Sequence, residues 1–241
     1  MKLQSRRQSI NFSDLTCWYQ PIYDVKSDIL LGYEALMRDK KRITLDPMEV
    51  FQNAQLLGEH NILDKHLIIK AQQLFGKLKE YSLFINILPS TLLQRDFISW
   101  WDKHSENIPN IVLELSETER IDDWKLLKST LEQLRARNVK FAVDDMGMGY
   151  TSPQYWIELE PEYIKLDKYY LLNAVNDKKK QRIIESLIRM VGDSAQIIIE
   201  GIEDAETLEL VKGLGACYAQ GYLLGMPSPI NKIDNSLAVL L

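Results

Sequence analysis

Cysteine is scarce in this sequence. Its 241 residues include two, Cys17 and Cys217, which are too far apart for a metal knuckle and too few for a disulfide framework. They read as partly buried free thiols in a reducing compartment. Long apolar runs are missing as well. No stretch approaches the ~18 residues of a membrane span, and MKLQSRRQSINFSD has two arginines with no apolar segment behind them, unlike a secretory signal. A soluble, cytoplasmic protein without membrane insertion is expected. Positive charge is not in excess: 29 Lys and Arg stand against 34 Asp and Glu, a net charge of −5. That argues against a protein that coats polymeric nucleic acid, although metals could still bring in a small anionic ligand. There is no G-x-S-x-G, no P-loop and no G-x-G-x-x-G, so triad hydrolysis, Walker-type nucleotide binding and a dinucleotide fold lack support. Histidine is also rare. His60, His66 and His104 fall in helical segments, where a surface position is the plain reading.

What is present is ordinary globular composition, 46% hydrophobic and 26% charged, which excludes disorder, collagen and coiled coil. The length corresponds to about 1.6 average domains. No Pro/Gly/Ser-rich linker divides it, so the expected organisation is a polar N-terminal tail over 1–13 and a single domain over 14–241. Short apolar or β-branched runs alternate with longer segments of helical spacing. The strand candidates are Cys17–Tyr23, Leu30–Leu36, Ser82–Leu88, Asn110–Leu115, Lys140–Val143, Tyr163–Leu166, Gln196–Ile199 and Cys217–Leu223. Between them, Ile121–Arg137 carries a stripe of Trp124, Leu127, Leu131 and Leu134, ended by Asn138. Asp177–Val191 turns Ile183, Ile184, Leu187 and Ile188 inward and Lys178–Lys180 outward, as a solvated face. This alternation, at this size, predicts an α/β fold, a (β/α)8 TIM-like barrel. The short link Asp24–Ile29 implies one antiparallel strand near the N-terminus. An open doubly wound sheet is the rival.

Barrel enzymes keep their chemistry at the C-terminal strand ends. Those ends carry Glu34, Asn86, Glu114, Asp144 with Asp145, Lys165 with Asp167, Glu200 and Gln220. Singly, each has a plainer explanation: Asp145 before Gly147 could begin a turn, Asn86 before Pro89 could cap one, and Glu34 could be a surface glutamate. Together, at one barrel mouth, such acids must take up protons or bind cations. All-oxygen ligation suits Mg2+ or Mn2+ rather than zinc. The Asp144–Asp145 pair is suited to bridging two ions ~3.5–4 Å apart, the arrangement that clamps an in-line phosphoryl displacement. Lys165 would stabilise charge or hold the attacking water. The residues alone therefore point to a metal-dependent phosphoester hydrolase on a barrel.

The strings YQPIYD and GYEALMR, then FINILPS, LELSETE, VDDMGMGY, IKLD, IIIEGIED and AQGYLLGMP, resemble in order the motifs of the EAL-domain cyclic-di-GMP phosphodiesterases, with Glu34-Ala35-Leu36 as the signature. The likeness runs from Leu15 to Ile230. It implies hydrolysis of cyclic di-GMP to linear 5′-pGpG with two Mg2+ or Mn2+ ions per site. On that likeness Glu34, Asn86, Glu114 and Asp144 hold one ion, and Asp144 and Asp145 share the second, with Glu200 a ligand or proton acceptor. Lys165 and Gln220 position the water, Gln20 and Arg38 touch substrate with the arginine facing a phosphate, and Glu34 borders it too. Glu117 anchors the loop after the paired aspartates. A homodimer is implied, and regulation is expected through a protein partner, the dimer or expression. The sequence departs from the family pattern at Met146 and Met148, where Phe and Thr are usual, and at Met226, where a basic residue is frequent; the first two bear on loop rigidity and dimer coupling. The reading from another class is a module that binds cyclic di-GMP, or a protein, without hydrolysis. The full metal set favours catalysis.

Overall fold

In a computed structural model, the chain is described over residues 10–42, 46–76, 78–105, 110–116, 119–144, 146 and 153–233. Strands β1 (Leu15–Asp24) and β2 (Ile29–Asp39) are followed by helices α1 (Pro47–Leu57) and α2 (His60–Phe75). Then come β3 (Ser82–Ile87), α3 (Pro89–Leu92), α4 (Phe97–His104), β4 (Ile111–Leu115), α5 (Trp124–Arg135), β5 (Lys140–Val143) and α6 (Pro153–Leu159). The series ends with β6 (Tyr163–Leu166), α7 (Lys178–Val191), β7 (Gln196–Ile199), α8 (Ala205–Gly213) and β8 (Tyr218–Gln220). The strands close in sequence order into an eight-stranded barrel. β1 runs antiparallel to both its neighbours, β2 and β8, and the remaining pairs are parallel. The TIM-like barrel with an antiparallel strand near the N-terminus is therefore the fold.

Strand alternation divides the apolar residues into two layers. The outward set, including Leu83, Ile85, Leu113, Phe141, Ile164 and Ile197, packs against the helices in the main core. The inward set is a separate plug of Ile22, Phe84, Val112, Ala142, Tyr163 and Ile198, with Tyr218 against it. Tyr163 meets Phe84 edge-on at 5.2 Å and Tyr218 at 6.3 Å. Gly32 completes this level on β2. A Cβ there would collide with the backbone carbonyl of Ser82, so only glycine permits the contact.

Acidic caps start the helices that steer these strands. Asp123 accepts from Leu126 N–H, Asp177 from Lys179 and Lys180 N–H, and Asp204 from Thr207 N–H. The first of these caps explains why α5 starts at Trp124 rather than Ile121. Ile183 departs from expectation: it is 38% exposed and lies on the outer face of α7 with Met190, while Ile184 alone of the adjacent pair is buried. β8 is also shorter than Cys217–Leu223, because the chain turns after Gln220, with Gly225 N–H bonded back to Gly221 O.

Candidate active site

The side chain two residues beyond each inward apolar position returns to the inner face at the barrel mouth. Phe84 leads to Asn86, Val112 to Glu114, Ala142 to Asp144, Tyr163 to Lys165, Ile198 to Glu200 and Tyr218 to Gln220. On β2, Gly32 leads to Glu34, and on the antiparallel β1 the equivalent step runs backward from Ile22 to Gln20. The register confirms the ring: Gln20 pairs with Glu34, Ile22 with Gln220, and Asn86 with Glu114. The fold thus converts one sheet period into a complete polar layer above an apolar floor.

Lys165 is at its centre. Its Nζ lies 3.2 Å from Glu34 Oε2, 3.2 Å from Glu114 Oε1, 3.5 Å from Asp144 Oδ1 and 2.7 Å from Glu200 Oε1. Glu34 also accepts from Gln220 Nε2 at 2.7 Å and from Asn86 Nδ2 at 3.0 Å. Lys165, Glu114, Glu34 and Gln220 are all buried. Burial alone would lower the Lys165 ammonium, but Asp144, Glu114, Glu200 and Glu34 raise it well above its ordinary value. Burial pushes Glu114 well up despite Lys165, and it carries Glu200 to about 8. Burial works the same way on Glu34, where Lys165 and the Gln220 and Asn86 amides prevail and hold it below the usual carboxylate range. Similar acids are thus driven to different protonation behaviour by their positions around one cation.

The remaining expected residues fall as follows. Gln20 is buried beside Glu34 and donates to Gly225 O at 3.2 Å. Arg38 lies farther out on the Glu34 face of β2, with its guanidinium 5.5 Å from the Trp18 ring centroid and Nη1 donating to Met37 O. Asp145, Glu117 and Met148 lie outside the described residues. Met146 is buried in the core, and its N–H donates to Lys165 O at 3.0 Å, which ties the chain just past the paired aspartates to β6. Met226 is exposed. A cavity of about 270 Å³ has Arg38, Asn86, Ser116 and Asp144 in its wall together with Met37, Met48, Phe51 and Leu67. Sequence reading did not find this cavity, because its walls join the ends of β2 and β3 to α1 and α2. It also passed over Trp18 and Asp64. Asp64 carried a signal, an acid in phase with the buried stripe of Leu67, Ile68, Ala71 and Phe75 on α2.

The EAL domain family model matches residues 3–227. The chain belongs to the EAL domain family. Among relatives of this EAL chain, cyclic di-GMP phosphodiesterase PdeL of Escherichia coli (strain K12) is 26% identical over 227 residues, an overlap covering 89% of this chain and 63% of PdeL. Among solved structures, the cyclic-di-GMP-bound form of a standalone versatile EAL protein from Vibrio cholerae O395 is 26% identical with a TM-score of 0.79, covering 91% of this chain and 94% of that one. Klebsiella pneumoniae BlrP1, in complex with manganese and cyclic di-GMP, is 25% identical with a TM-score of 0.77, covering 92% of this chain and 58% of that one. The chain therefore spans less than two thirds of PdeL and of BlrP1.

The donor chemistry of this EAL site fits a hard divalent cation. It consists of oxygen from Glu34, Glu114, Asp144 and Glu200 and the amide of Asn86, without sulfur or imidazole. Four carboxylates surround one ammonium, and the buried Gln220 Oε1 has no hydrogen-bond partner among the described residues. Among the described residues, no group of three or more His, Cys, Asp or Glu side chains is arranged to hold a metal ion as it stands; the carboxylates converge on Lys165 Nζ instead.

Proposed function

We propose that this EAL domain is a divalent-metal-dependent phosphodiesterase that hydrolyses cyclic di-GMP to linear 5′-pGpG. The observation that carries the reading is the polar ring itself: four acids, Asn86 and Gln220 gathered around a buried lysine at the mouth of an EAL barrel. The substrate is suggested by the relatives, which are cyclic di-GMP phosphodiesterases. In this reading Glu34, Asn86, Glu114 and Asp144 would hold one Mg2+ or Mn2+ ion, and Asp144, Asp145 and Glu200 would serve a second. When bound, such ions lower the pKa of water and take up charge on the phosphoryl oxygens.

The chain's own groups divide the remaining work. Arg38 faces a phosphate, and Gln20 and Glu34 border the nucleotide. The mostly apolar cavity beside Asn86 suits the flat face of a base better than a phosphate. Lys165 and Gln220 hold the attacking water in line. Its oxygen bonds to phosphorus, the bond from phosphorus to the 3′-oxygen breaks, and the 5′-phosphate stays on the product. Glu200, in its ionised form, would accept the proton that the water loses, and the departing 3′-oxygen takes up a proton to become the 3′-hydroxyl of the linear product. Glu117 anchors the loop after the paired aspartates, and residues 14–241 form one barrel domain that works in the cytoplasm as a homodimer open to a regulatory protein partner.

The test is to incubate the purified protein with cyclic di-GMP and Mg2+ and separate the nucleotides by ion-exchange chromatography. The linear dinucleotide is expected. Cyclic di-GMP that is bound but recovered intact would make the chain a receptor.

A further inference from the structure

Asp64 is an acid within an apolar helix face, outside the polar ring. It is 1% exposed and shares the wall of the cavity that also holds Asn86 and Asp144. Its Oδ2 accepts from Leu88 N–H at 2.8 Å and from Thr91 Oγ1 at 2.7 Å. Leu88 is the residue that enters α3, two positions past Asn86; its own side chain makes no capping bond, and in the first turn Glu119 Oε2 accepts from Ser90 N–H at 3.0 Å. Asp64 therefore grips the chain immediately after β3 at two points, one before α3 and one within its first turn.

The same strand end carries the amide that donates to Glu34 Oε1 at 3.0 Å. A cation site tolerates only small errors in the bearing of its ligands, and it depends on the groups that hold those ligands in place. Packing alone does not account for an acid here. Burial lifts its pKa to about 7 even with both hydrogen bonds acting against that shift, whereas an apolar residue would bury at no such cost.

We infer that Asp64 is a positioning residue for the metal site: by holding Leu88 N–H and Thr91 Oγ1 it fixes the end of β3, and with it the bearing of Asn86. The inference rests on Asn86 being a metal ligand, as proposed above.

The test is a titration of chelator-stripped protein with Mn2+, with free Mn2+ followed by electron paramagnetic resonance. Asp64→Asn keeps an acceptor oxygen at the same reach and is expected to bind Mn2+ within about twofold of the wild type. Asp64→Ser is too short to reach Leu88 and is expected to bind about 10–100-fold more weakly, the usual scale for losing a supporting group. Its kcat for cyclic di-GMP is expected to recover when Mn2+ is raised in proportion. Wild-type affinity in Asp64→Ser, or an equal loss in both variants, would overturn the inference. If the wild type itself binds no Mn2+, the ligand reading fails instead, and the Asp64 inference falls with it. Should Asp64→Ser not fold, hydrogen exchange in the wild type decides: because coupling is reciprocal, Mn2+ is expected to slow exchange of the Leu88 amide, and an unchanged rate would refute the link.

Discussion

Glu34 illustrates how one residue acquires a role from its neighbours. A glutamate in GYEALMR has no distinguishing chemistry. On the inner face of β2 it accepts from Asn86 and Gln220 and faces the Lys165 ammonium, so its charge is retained although it is buried. In the proposed reading Glu34→Ala removes a metal-binding oxygen, and it leaves Lys165 with one fewer counter-charge. Hydrolysis of cyclic di-GMP is expected to fall below a few per cent of the wild-type rate with far-UV circular dichroism unchanged, and a larger residual rate would remove Glu34 from the ligand set. Asp64 gives the opposite electrostatic case. Its pKa rises on folding from 3.8 to about 7, so the folded protein binds the proton more tightly than the unfolded chain. Stability is therefore lost as pH rises through that window. Asp64→Asn, which resembles the neutral acid, is expected to match the wild type in thermal unfolding near pH 4 and to melt higher at pH 8. An equal difference at both pH values would show that ionisation of Asp64 is not the cause.

At the scale of elements, the two-residue pleat explains why so much of the site was legible in the sequence. A polar residue closing a short apolar run must return to the same face as the inward residue before it, so Asn86, Glu114, Asp144, Lys165, Glu200 and Gln220 could be assigned to one mouth once the runs were recognised as barrel strands. β5, β6 and β7 have the bounds their runs suggested. β8 was less legible because its end depends on a tertiary contact. Ile202 N–H donates to Gln220 O, and Gly221 lies so close to Ile202 that a Cβ would strike its backbone nitrogen and carbonyl oxygen. Gly221→Ala is expected to destabilise the fold by about 1–3 kcal/mol and to lower kcat by displacing Gln220, as thermal unfolding and steady-state rates would show. A variant with wild-type rate and melting temperature would mean that this contact does not set the position of Gln220. Ile183 shows the limit of periodicity. Adjacent apolar residues on α7 look alike in one dimension, and only the position of the barrel decides that Ile184 is covered and Ile183 is not.

For the molecule as a whole, net charge says little about the site. A chain of net charge −5 concentrates four carboxylates around one lysine, a local excess that invites cations whatever the total. The architecture was legible because strand–helix alternation and length both point to a closed barrel. The cavity beside Asn86 was not, since its wall joins the ends of β2 and β3 to α1 and α2, and no local pattern records such a meeting. The polar ring becomes hydrolytic, in the reading proposed here, only when divalent ions occupy it. The direct measurement is the rate of linear dinucleotide formation from cyclic di-GMP in Mg2+, then in excess EDTA, then after Mn2+ is restored. Activity is expected to stop with the chelator and return with the metal, whereas an undiminished rate in EDTA would contradict the assignment of these acids as metal ligands.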